Sequence, residues 1–155
     1  MSIGAIRLAA GALALATAGI SAYLVTVHYS GGPIACFAGG GCETVQKSAY
    51  SEIAGVPLSV LGLAAYLALA ATQLRRGEGG ATLSLGFSVA TAAFAGYLIV
   101  VQAVVLDAIC VWCMTTDAIA MTLLVLCALR LRGEVAAAGP GAEGGAADGP
   151  APSLG

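Results

Sequence analysis

Long apolar runs, broken by short polar segments, set the plan of this chain. The first run, Leu8 to Val27, is long enough for one bilayer crossing of about 20 residues. It also fits a signal peptide, with Arg7 as the basic start and Ala16-Thr17-Ala18 as a small-residue cleavage site. The run continues well past that site, which favours a retained span. A polar loop follows from His28 to Gly55. Within it, Val45, Ala49 and Ile53 recur every fourth residue between Lys47, Ser48 and Glu52, which predicts a short amphipathic helix over 44–53 on the membrane surface. Pro57 stands at the first turn of the second span, where its missing N–H costs little. The expected spans are 8–27, 57–74, 81–106 and 110–129.

Past residue 133 the pattern stops. Ala, Gly and Pro dominate 134–155, without the large apolar residues a packed core needs, and a disordered tail is expected. The predicted fold is therefore all-α: a polytopic four-helix membrane bundle over 1–133, with a short amphipathic surface helix in the first outer loop.

Composition agrees with the pattern. Hydrophobic residues make up 59% of the chain and charged residues 9%, and the mean hydropathy is +0.96. Soluble domains carry about 25% charged residues, so this chain cannot cover a water-facing surface and its first partner is the lipid bilayer. A net charge of -2 with six basic residues argues against nucleic acid. Charge also orients the spans. Arg7, Arg75, Arg76, Arg130 and Arg132 fall at one end and only Lys47 at the other. The positive-inside rule then places both termini in the cytoplasm.

That topology sorts the five cysteines. Cys36, Cys42, Cys110 and Cys113 reach the outer, oxidising side, where disulfides persist. Cys127 falls near the other end and reads as a small buried apolar residue. Cys110 and Cys113 share one face at the start of the fourth span. There the free N–H groups of the first turn and the helix dipole stabilise a thiolate, which activates thiol–disulfide exchange. Asp107 is placed to cap that helix, although its charge opposes a nearby thiolate. The loop pair is separated by a segment with Gly39, Gly40 and Gly41, which leaves Cys42 free to close on Cys36 or to reach Cys110. Two static structural disulfides in a non-catalytic membrane protein would give the same count. A zinc site fits less well, because its ligands come in close knuckles and the loop pair is wider.

Taken together, Cys36-x5-Cys42, Ser48, Gly55-Val56-Pro57, Gly62, Tyr66, and Cys110-x-x-Cys113 followed by Thr115-Thr116 resemble the vitamin K epoxide reductase family, most closely its bacterial members. The resemblance covers about residues 10–130. It implies a four-helix membrane enzyme built around a quinone: menaquinone, ubiquinone or phylloquinone as electron acceptor, with no metal. Cys113 is similar to the cysteine that faces the quinone, and Cys110 to its disulfide partner. Cys42 is similar to the loop cysteine that attacks Cys110. Cys36 is similar to the outer cysteine that exchanges with a thioredoxin-like (DsbA-like) protein. Ser48 matches a serine near the family's active site. The implied activity is oxidation of protein thiols outside the cell (inner) membrane. Animal members carry a tyrosine at the place of Asp117 and an asparagine near Leu58, so the departures here point to a plain quinone rather than an epoxide. Members with a fused thioredoxin-like domain differ from this chain, which implies a separate partner. An unrelated four-span thiol oxidase type carries its Cys-x-x-Cys in the first outer loop, not at the fourth span.

Three further residues carry two readings each. Asp117 lies one turn below Cys113, where an acid inside a span is a functional candidate; it is read either as a proton source for a reduced quinone or as a hydrogen-bond partner within the bundle. Trp112 is read as a quinone-packing residue or, more readily, as part of the interfacial aromatic belt. Phe37 is read as a cover for the site or as a side chain dipping into the interface.

Overall fold

The computed structural model describes residues 2–37 and 40–139. Helix α1 spans Ile3–Ser30, α2 spans Cys42–Gln46, α3 spans Leu58–Thr72, α4 spans Gly77–Val100 and α5 spans Val111–Ala138. Three of the apolar helices are long enough to cross a membrane, α4 counted with the π-helical turn Val101–Val105 that continues it. Helix α3 is apolar but only 15 residues long, about 22 Å at 1.5 Å per residue. The all-α membrane fold expected from the pattern is the fold observed.

The helices pack through small side chains. Ala10, Ala14 and Ala18 of α1 are buried at four-residue intervals, as are Ser84, Ser88 and Ala92 of α4. Small residues let helix backbones approach closely where no hydrophobic drive separates protein from lipid. Tyr66 and Leu69 of α3 and Leu123 and Cys127 of α5 complete the core with the α1 alanines. Large apolar side chains such as Leu8, Leu15 and Val125 point outward, as expected of a lipid-facing surface. Cys127 sits in the core as a fully buried small residue.

The end that holds the arginines is tied by a polar cluster absent from the sequence-based expectations. Arg130 is fully buried. Its Nη1 donates to Gln73 Oε1 and Ser84 Oγ, both at 2.9 Å, and its Nη2 donates to the Arg75 carbonyl at 2.6 Å. Arg7 donates to the Gln73 carbonyl at 2.7 and 3.1 Å. Thus α1, the α3–α4 turn and α5 are joined at one end. Arg130, which closes the last span and adds to the orienting charge in the sequence pattern, is also the centre of this cluster, because the carbonyls and amides left at the α3–α4 turn need a donor.

The first outer loop differs in detail from expectation. Its helix lies at Cys42–Gln46, ahead of the expected 44–53. Ser48 takes an extended backbone, a 3-10 turn follows at Ala49–Ser51, and strand β1 (Glu52–Ile53) pairs with β2 (Val56–Pro57). Ala54 and Gly55 both have positive φ, as a two-residue hairpin turn of type I′ requires. Pro57 is the N-cap of α3. At the other extreme, α5 continues to Ala138, past the expected domain end at 133. The rest of the expected tail, 140–155, lies outside the described residues.

Candidate functional site

The loop cysteines form a disulfide, Cys36–Cys42, while Cys110 and Cys113 are thiols. The four come together at the end of the bundle opposite the arginine cluster. Two contacts dock the loop there. The Trp112 indole N–H donates to the Ala35 carbonyl at 2.6 Å. Gly41 lies so near the backbone of Ile109 that a Cβ would meet the Ile109 nitrogen at 2.7 Å. Glycine is therefore required at 41, and Cys42 follows directly on this contact as Cys110 follows Ile109. Both Cys42 and Cys110 are fully buried. The expected freedom of the loop around Cys42 is thus taken up by docking at Gly41; Gly39 lies outside the described residues.

Cys110 is itself the N-cap of α5. Its Sγ accepts the Cys113 N–H at 3.4 Å, and its own N–H donates to Gln102 Oε1 at 3.0 Å. The cap expected at Asp107 is therefore absent. Asp107 instead takes a positive φ of 45° in the tight connection before the helix, a conformation that aspartate tolerates better than most residues. Gln102 belongs to the π-helical turn Val101–Val105, whose extra residue turns its side chain toward the α5 start. Such turns recur at functional sites. The Cys113 thiol, helped by the N–H groups of Cys113 and Trp112, draws the Cys110 thiol down to about 7, against the desolvation that pushes it up. The neighbouring thiol thus contributes more than the N–H groups of the helix start.

Below the cysteines lies a cavity of about 490 Å³. Its walls are mainly apolar: Leu24, Leu58, Leu61, Phe87, Phe94 and Leu98. Cys113, Asp117, Ser48, Gln46, Gln102 and Tyr66 supply polar groups to its lining. A size of several hundred Å³ with few polar groups is the usual form of a small-molecule site. Residues of the 45–53 segment, the first turns of α3 and the π-helical turn all contribute to the cavity lining.

Of the eight residues singled out from sequence, Cys36, Cys42 and Cys110 lie at the docked loop described above, and the other five divide into two groups. Cys113, Asp117 and Ser48 line the cavity. Asp117 is buried, and its Oδ2 has no hydrogen-bond partner. Ser48 Oγ donates to the Val45 carbonyl at 2.7 Å, so it shapes the loop as well as facing the cavity. Trp112 and Phe37 are not among its lining residues; they meet edge to face at 5.6 Å between ring centroids, and Trp112 also packs on Tyr23. Among the described residues, no group of three His, Cys, Asp or Glu side chains gathers to hold a metal. Sequence reasoning missed Gln46 and Gln102. The signal for Gln102 was available: an amide inside an apolar run needs a buried partner.

Comparison with known proteins adds one assignment. The sequence model of the vitamin K epoxide reductase family matches residues 8–128, well over half of the chain. No curated protein matches the chain.

Proposed function

The chain belongs to the vitamin K epoxide reductase family, and we propose that it is a membrane oxidase that passes electrons from protein thiols to a quinone. The observation that carries this reading is the placement of Cys113, which shares one helical turn with Cys110 at the docked loop and also lines the apolar cavity. One side of the cysteine pair serves protein disulfides and the other a lipid-soluble acceptor.

The reaction balances as follows. A thiolate of a thioredoxin-like protein attacks Cys36, and the Cys36–Cys42 bond breaks. The partner's second thiol then displaces Cys36, leaving an oxidised partner and a loop dithiol. The Cys42 thiolate attacks Cys110 of a Cys110–Cys113 disulfide, and Cys36 resolves the mixed disulfide. The loop is then oxidised and the helix pair reduced, which is the arrangement of bonds described above. The helix dithiol finally gives two electrons and two protons to the quinone, which becomes a hydroquinone as the Cys110–Cys113 bond reforms. Asp117 faces the same cavity and is suited to carry one of those protons. Direction follows the potentials, with about 30 mV of difference in a two-electron couple worth about 1.4 kcal/mol.

The arginine bias supports an orientation with both termini in the cytoplasm and the cysteines on the outer face of the cell membrane. The test is complementation. In cells lacking their own disulfide oxidase, the parent protein restores disulfide formation and Cys113→Ala does not. Full restoration by Cys113→Ala would overturn the relay.

A further inference from the structure

Helix α2 carries Cys42 at its first position and Gln46 at its last. These residues stand at i and i+4, on one face of the helix. Cys110 and Cys113 stand at i and i+3, on one face of the start of α5. The two faces meet. At one end Gly41 is pressed against Ile109, which brings in Cys42 and Cys110. At the other, Gln46 Nε2 lies 3.7 Å from Cys113 Sγ. Gln46 also borders both the inner cavity and an outer groove of about 860 Å³ beside the loop.

We propose that Gln46 is a positioning residue of the oxidoreductase reaction, setting the register of α2 on α5 and donating its amide N–H to the Cys113 sulfur. This rests on the function proposed above and extends it, since no part of that scheme assigns Gln46 a role. A hydrogen bond donated to sulfur favours the thiolate over the thiol. The amide reaches Cys113 only while α2 is docked, so the reactivity of the cavity-facing sulfur depends on where the loop sits. One short helix therefore delivers the shuttle cysteine to Cys110 and the amide to Cys113 in a single placement.

The experiment measures iodoacetamide alkylation of Cys113, by peptide mass, in full-length protein with the loop disulfide intact. Gln46→Leu removes the donor at similar size. It is expected to slow Cys113 alkylation at neutral pH by about tenfold, the order of one hydrogen bond to an ionised group. Gln46→Glu keeps size and polarity but sets a negative charge beside the sulfur, and is expected to slow it further. Intact mass without reductant confirms that Cys36–Cys42 has formed in each variant, so a misfolded loop is recognised as such. Rates within twofold of the parent in both variants would overturn the assignment. Because no quinone enters this measurement, its outcome is independent of whether the complementation test succeeds.

Discussion

The Gln102 side chain holds the backbone of Cys110: Oε1 accepts the Cys110 N–H at 3.0 Å, and both groups are buried. The same residue's carbonyl accepts the Ala108 N–H at 3.1 Å. One glutamine therefore shapes the whole connection into α5. Gln102→Leu leaves a buried N–H without an acceptor, a loss of about 1–3 kcal/mol. Thermal unfolding in detergent should show it, and a variant as stable as the parent would mean that another acceptor replaces the amide.

The Cys110 thiol titrates near 7 in the folded protein, below its ordinary value of 9.0. Its thiolate is thus favoured by folding. Between these values the unfolded chain binds more protons than the folded one, so this group adds stability as pH rises through the window. That contribution is lost as pH falls through about 7. Absorbance of the thiolate at varied pH, compared with Cys110→Ser, should give a midpoint near 7; a midpoint at the ordinary thiol value would contradict the capping geometry.

Trp112 ties the loop to α5 through its indole N–H on Ala35. Trp112→Phe keeps an aromatic ring against Tyr23 and Phe37 but loses that bond, worth about 1 kcal/mol. The expected result is faster reduction of Cys36–Cys42 by dithiothreitol, by about fivefold. An unchanged reduction rate would place the restraint on the loop elsewhere.

Arg130→Met removes the donor shared by Gln73, Ser84 and Arg75. Loss of hydrogen bonds from a buried cation costs about 3 kcal/mol or more. Arg130→Lys keeps the charge without the planar fork and should fall between the two. Unfolding midpoints rank the three proteins, and a methionine variant equal to the parent would show that the cluster adds nothing to stability.

Asp117→Asn and Ser48→Ala separate the two polar cavity residues. Asp117 presents an unpartnered oxygen among apolar walls, whereas the Ser48 hydroxyl is already spent on Val45. Asp117→Asn should slow quinone reduction by about tenfold or more, in the range of lost proton-transfer assistance. Ser48→Ala should change it by less than about threefold. The reverse ranking, measured as quinone absorbance loss with a dithiol donor, would move the polar role to Ser48.

Much of this was legible in the sequence because hydropathy and charge act along the chain. The runs around 8–27, 81–106 and 110–129 became long helices, and the arginine bias separated the cysteine end from its opposite. The family pattern rested on residues whose spacing is itself the chemistry, above all Cys110 and Cys113. What stayed hidden depends on helix rotation and on local backbone geometry. Nothing in the spacing of Gln73, Ser84 and Arg130 shows that they converge, so Arg130 counted only toward the charge bias. The period of Val45, Ala49 and Ile53 looked helical, but the extended Ser48 and the positive φ of Ala54 and Gly55 break it. Gln46 and Gln102 were passed over because an amide has no distinctive spacing until its partner is placed.

The buried arginine cluster and the docked loop sit at opposite ends of the same bundle, and they differ in kind. One is a many-membered knot of charge-assisted bonds; the other is a small clasp made largely of single contacts at Gly41, Gln46 and Trp112. Opening motions follow the weaker end. The loop clasp is therefore the end expected to open first, while the arginine cluster holds the spacing of the helices.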